Sequence, residues 1–190
     1  LAAAAHAWLR SPIDQSALAE WSRAVEVEEL GIAGGRQDHY AAAYGGALSL
    51  DFGATTHVAR IPLSPATKAT LERQCLLAYT GESRISATTI TAVIDGYRRR
   101  DHRVVTAREA MKAQARDMAT ALRDGDIARL ASLVALHWQQ QRSLHPGITT
   151  DRIDAIETAV TRAGATGMKA LGASGGGCVI VFAPDDRVEP

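Results

Sequence analysis

Cysteine is nearly absent. Two in 190 residues cannot make a disulfide framework, and Cys75 and Cys178 both fall in apolar, strand-like runs. They are expected to be buried free thiols of a reducing compartment. Net charge is missing as well: 21 basic residues balance 21 acidic ones. No overall field therefore draws the chain to nucleic acid or to an anionic membrane. The run Tyr97-Arg98-Arg99-Arg100 is a local basic patch that a solvated helix end explains. No apolar stretch reaches the ~18 residues of a membrane-spanning helix. The histidines His6, His39, His57, His102, His137 and His145 show neither an i, i+4 pair nor cysteine-pair spacing, which argues against zinc. What remains, 46% hydrophobic and 22% charged residues, is ordinary globular composition, enough for one large or two small domains.

Leu1 opens an alanine-rich run without the basic leader of a signal peptide. It reads as the interior of a helix over 1–9 whose start lies upstream, so a fragment of a longer protein is expected. Asp14 or Ser16 can cap a helix over 17–30 that stops at Gly31. A short helical turn over 40–44 and strands over 47–52 and 55–63 follow, and Pro62, Ser64 and Pro65 mark the domain boundary. Beyond it, 75–79 reads as a buried strand and 86–97 as a helix. Helices over 107–122 and 127–141 come next, the latter burying Leu130, Val134, the Leu136 side and Trp138. A helix over 152–162, capped by Thr150 or Asp151, and strands over 167–171 and 178–182 complete an α+β chain.

The chemistry gathers between Gly31 and Gly46, where Asp38 lies between two glycine-dense turns just after Glu26, Glu28 and Glu29. Glutamates at a helix C-terminus oppose the macrodipole. An acid in a close-approach loop beside another carboxylate suits a general base next to a metal ligand. A helix C-cap followed by a turn and a small-residue helix describes the same residues without any chemistry. Gly172 to Gly177 forms a second glycine loop that runs directly into a strand, so it is neither a Walker A loop nor a dinucleotide fingerprint. By itself it reads equally well as a tight turn.

Three stretches together resemble the GHMP small-molecule kinases: 26–46, Tyr79-Thr80-Gly81-Glu82-Ser83-Arg84, and Lys169 through Cys178. Gly34-Gly35-Arg36-Gln37-Asp38, Trp138 with Arg142, Gly147-Ile148 and Arg152-Ile153-Asp154 are most similar to the D-glycero-D-manno-heptose 7-phosphate kinase branch. The resemblance spans nearly the whole chain. It implies the remainder of a nucleotide-binding N-terminal domain over 1–63 and a ferredoxin-like C-terminal domain over 64–190.

It further implies a cytoplasmic enzyme that uses ATP and Mg2+ to phosphorylate a sugar or sugar phosphate. Neither nucleic acid nor membrane is a partner, and a homodimer is the candidate assembly. Asp38 is implied as the catalytic acid–base residue and Glu26 as the magnesium ligand. Gly35, Arg36, Ser83 and Arg84 are implied at the substrate, and Gly172, Gly175 and Gly176 at the nucleotide. This chain departs from the pattern in three places. His39 replaces a glutamine, Ser174 interrupts the small-residue loop, and the Gly-Leu-Gly-Ser-Ser phosphate loop is absent. A kinase for another small alcohol and a catalytically inactive binding module are the alternatives.

Overall fold

The computed structural model describes residues 3, 4, 7, 10, 12–82 and 87–185. The helix expected over 1–9 lies largely outside them. Two compact units divide between Ile61 and Pro62.

In the first unit, Asp14 caps α1 (Gln15–Ala24), accepting a hydrogen bond from the Ala17 amide at 2.8 Å. The helix then widens into a π-turn, Val25–Glu29, where the Leu30 amide reaches the Val25 carbonyl at 3.1 Å. Arg23 offsets part of the acidic run, pairing with Glu20 at 3.0 Å and Glu28 at 3.1 Å. After an extended loop, α2 (Gln37–Tyr44) leads into an antiparallel hairpin of β1 (Ala47–Phe52) and β2 (Thr56–Ile61), with Ala47 opposite Ile61. Tyr40 organises this unit. It is buried, stacks on Tyr44, meets the edge of Phe52, and donates its hydroxyl to Glu20 Oε1 at 2.8 Å. That hydrogen bond, helped by Arg23 and Arg36, holds the Glu20 carboxyl below its usual range.

The second unit opens with a helix that the sequence reading left out, α3 (Pro65–Gln74). Ser64 caps it, accepting from the Thr67 amide at 3.0 Å, and Pro65 occupies its first position. Next come β3 (Cys75–Tyr79), α4 (Ala87–Arg98), α5 (His102–Asp124), α6 (Ile127–Leu144), a 3₁₀ turn at Pro146–Ile148, α7 (Asp151–Arg162), β4 (Gly167–Ala170) and β5 (Cys178–Phe182). Side-chain caps from Asp101, Asp126 and Thr150 start α5, α6 and α7. They satisfy amide groups that have no partner within the helix. The sheet is antiparallel in the order β3-β5-β4.

Alternate residues of β5 enter different apolar clusters, as a period of two requires. Val179 and Val181 pack with Trp138, Ile153 and Met168, while Phe182 and Ile180 pack with Ile127, Leu130 and Val134. Three expectations about burial are corrected here. Leu77 and Tyr79 are exposed because β3 is an edge strand, paired among the described residues only with β5. Cys178 is exposed and Cys75 only half-buried. Leu136 faces outward, off the face that Leu130, Val134 and Trp138 share at helical spacing.

Candidate functional site

In the first unit the π-turn carries Glu26 toward the loop that follows it. The Ile32 amide bonds to the Glu26 carbonyl at 3.0 Å, so the chain doubles back over its own turn. A Cβ on Gly34 would stand 2.9 Å from Glu26 Oε1. The absent side chain is what lets backbone and carboxylate approach. The other oxygen, Oε2, lies 3.0 Å from Nε2 of His39, whose side chain is only 9% exposed. Nδ1 of the same ring is 3.0 Å from the Ser22 hydroxyl.

Asp38, the neighbour of His39, sits in the first turn of α2 with an exposed side chain. A helix N-terminus favours negative charge there. Glu26 is thus tied by its side chain to His39, the residue that follows Asp38 in α2. Arg36 immediately precedes α2 and is directed to Glu20, at 3.8 Å, and to the Thr56 hydroxyl, at 3.4 Å. Space next to Gly35 is taken by the flexible end of Gln37.

In the second unit the glycine loop is held by backbone hydrogen bonds. The Gly175 amide donates to the Ile148 carbonyl at 2.9 Å, and the Gly177 amide to the Glu82 carbonyl at 2.7 Å. Thr80 returns two bonds to the Gly177 carbonyl, from its amide at 2.9 Å and its hydroxyl at 2.8 Å. Residues 172 and 174–177 all have positive φ, which explains the glycine density. Ser174 takes that conformation despite its side chain and is buried. The Gly172 carbonyl accepts from Gln141 Nε2 at 2.9 Å, and Gln141 Oε1 accepts from Lys169 Nζ at 3.0 Å. Burial pushes Lys169 down to about 8, and burial together with the Lys169 charge pushes His137 down to about 4.

A further polar knot joins α6 to α7. Arg142 bridges Asp154, at 3.0 Å, and Glu157, which also accepts from Trp138 Nε1 at 3.2 Å. Ser83 and Arg84 lie outside the described residues. Among the described residues no three His, Cys, Asp or Glu side chains come together as a metal cage. No helix among them is long and apolar enough to cross a membrane. Reading the sequence singled out Glu26, Asp38 and the glycine loop but assigned nothing to Ser22, Gln141 or Lys169. A lone lysine within an apolar strand was the available signal for the last of these.

Comparison with known proteins shows what the chain is similar to. Residues 118–189 match the family model described as GHMP kinases C terminal. The chain is 29% identical over 177 residues to a D-glycero-alpha-D-manno-heptose 7-phosphate kinase of Campylobacter jejuni, an alignment covering 92% of this chain and 52% of that protein. The crystal structure of a D-glycero-D-manno-heptose 1-phosphate kinase from Bacteroides thetaiotaomicron superposes with a TM-score of 0.69 at 24% identity, covering 95% of this chain and 48% of that one. Leishmania major mevalonate kinase, solved with R-mevalonate, gives a TM-score of 0.69 at 19% identity, covering 94% and 52%.

This chain thus spans about half the length of these relatives. Its α+β architecture is the fold seen in part of these two solved kinases.

Proposed function

We propose that this chain is part of an ATP- and magnesium-dependent sugar kinase whose acceptor is a heptose 7-phosphate. The observation that carries the reading is Glu26, with one oxygen held by His39 and the other against Gly34, together with the exposed Asp38 that precedes His39 in the first turn of α2. Similarity to a heptose 7-phosphate kinase over 92% of the chain supports it and suggests the acceptor. In this reading 1–63 is the remainder of the nucleotide-binding domain and 64–190 the C-terminal domain. The cytoplasm, which supplies ATP, is the proposed location.

Asp38 accepts the proton of the sugar hydroxyl as that oxygen bonds to the γ-phosphorus. The bond from the γ-phosphorus to the β–γ bridging oxygen breaks, and ADP leaves. Phosphoryl transfer of this kind needs positioning and charge stabilisation more than covalent help from the protein. Magnesium is commonly held by one or two carboxylates together with phosphate oxygens and water. Glu26 fits as one such ligand through Oε1, which meets the bare Gly34 backbone rather than a side chain. When bound, the ion neutralises charge on the β- and γ-phosphates. Gly35 and Arg36 are assigned to the acceptor. Gly172, Gly175 and Gly176 are assigned to the nucleotide side, where the Gly175 amide is already committed to Ile148.

The test is an acceptor panel with the full-length protein and ATP: heptose 7-phosphate, heptose 1-phosphate, galactose and mevalonate. Heptose 7-phosphate is expected to lead in kcat/KM by at least about a hundredfold, the scale set by polar recognition of a substrate group. A preference for another acceptor overturns the heptose assignment. No transfer to any of them overturns the kinase reading.

A further inference from the structure

Ser22 and Glu26 stand four residues apart, and one imidazole from the next helix touches both: His39 Nδ1 lies 3.0 Å from the Ser22 hydroxyl and Nε2 lies 3.0 Å from Glu26 Oε2. An ionised carboxylate only accepts hydrogen bonds, so the nitrogen facing Glu26 must carry the proton. In a neutral ring Nδ1 is then the acceptor, and the serine hydroxyl donates to it. Glutamate selects the tautomer, and serine, whose hydroxyl suits either form, fixes the ring orientation. With a side chain only 9% exposed, the ring has little freedom to choose another. Its effect falls on Glu26: the carboxylate is pinned through Oε2, and Oε1 is the oxygen presented beside Gly34.

We infer that His39 is a positioning residue that orients the Glu26 carboxylate, with Ser22 engaging the other ring nitrogen and so fixing the ring's orientation. The inference rests on the reading of Glu26 as a magnesium carboxylate given above. It adds a specific requirement: a donor at the place of Nε2. The imidazole then plays the part that outer-shell partners play for carboxylates at metal sites, fixing direction rather than binding the ion.

Two replacements separate this role from general packing. His39→Gln carries an amide nitrogen far enough out to stand in for Nε2, whereas the shorter His39→Asn mimics only Nδ1. Mn2+ serves as the probe, its free-ion electron paramagnetic resonance signal titrated against the full-length protein with ATP. His39→Asn is expected to weaken Mn2+ binding by about tenfold or more, the usual cost of losing such a partner. His39→Gln is expected to remain within about threefold of the parent, the residual tolerance of a retained donor. Equal Mn2+ affinity in His39→Asn and the parent overturns the proposal, as does equal loss in both variants.

A second readout needs no nucleotide. Long-range proton–nitrogen spectra of this chain are expected to show the proton of the neutral His39 ring on Nε2, and a proton on Nδ1 overturns the proposal. The outcome is separable from that of the kinase reading. A parent protein that transfers no phosphate, yet loses Mn2+ affinity only in His39→Asn, supports the positioning role and ends the kinase reading. An active parent whose Mn2+ affinity ignores His39 does the reverse.

Discussion

Lys169 Nζ lies 3.0 Å from Gln141 Oε1, and the amide nitrogen of the same Gln141 donates to the carbonyl of Gly172 at 2.9 Å. A half-buried lysine and the first residue of the glycine loop therefore share one side chain, engaged at both its nitrogen and its oxygen. Gln141 is 5% exposed, so water cannot readily replace it.

Gln141→Leu should expose the value of that link. It leaves the half-buried lysine ammonium and the carbonyl of the exposed Gly172 without their partner. Because water can reach both, the cost is expected at the low end of the range for unsatisfied groups, about 1 kcal/mol. A fall of that size in urea unfolding is expected, together with faster amide exchange at Gly175 and Gly177. Unchanged stability and exchange would show that the loop is held without Gln141.

Lys169 also makes stability depend on alkaline pH. Burial lowers it from 10.5 to about 8. Below the lower value the lysine is charged in both folded and unfolded chains, and the folded chain bears the full cost of burying that charge. Between the two values the folded chain has lost its proton while the unfolded chain keeps it, so stability rises with pH. The gain is on the order of 3 kcal/mol. Urea midpoints measured across this range should climb in the parent relative to Lys169→Met, and parallel curves would refute the assignment.

His137 works at the acid end. Its ring is lowered from 6.5 to about 4, first by burial and then by the Lys169 charge, and its Nδ1 is buried without a hydrogen-bond partner among the described residues. Below 6.5 the unfolded chain takes up a proton that the folded chain refuses, so stability is lost as pH falls toward 4. Water reaches part of the ring, which reduces the expected loss to about 2 kcal/mol. His137→Leu should lack this component in acid unfolding curves compared with the parent.

Gly167→Ala tests the packing of β4 on α6. A Cβ there would stand 2.2 Å from the Ala131 carbonyl oxygen, and that atom is helix backbone with little room to yield. Overpacking of this kind costs about 1–3 kcal/mol. Thermal unfolding at the parent's temperature would contradict the close approach.

Much of the framework was legible because it rests on local signals. Asp126 before an apolar period, and Gly125 with a φ of 73° before that, mark the break between α5 and α6 in sequence and structure alike. Helix α3 was missed because Pro65–Gln74 offers Leu71 as its single large apolar residue, and its Ser64-Pro65 start doubles as a boundary signal. Tyr79 was misjudged because hydrophobicity cannot tell an edge strand from a central one. At the candidate site, glycine density and acid spacing drew attention to Glu26 and Asp38. The bond from Glu26 to His39 depends on the path of the loop between two helices, which no local pattern encodes. Lys169, Gln141 and Gly172 likewise meet only once strand, helix and loop are packed.

The most direct test of the proposed activity is the turnover of Asp38→Asn in the full-length protein, with ATP and heptose 7-phosphate. The substitution keeps the size and helix position of the side chain but removes the carboxylate that accepts the hydroxyl proton. Loss of a positioned acid–base group lowers turnover by about 10²-fold or more, and a kcat reduced to that extent with native folding is the predicted result. A kcat within about threefold of the parent, far inside that range, would remove Asp38 from the chemistry and contradict the account.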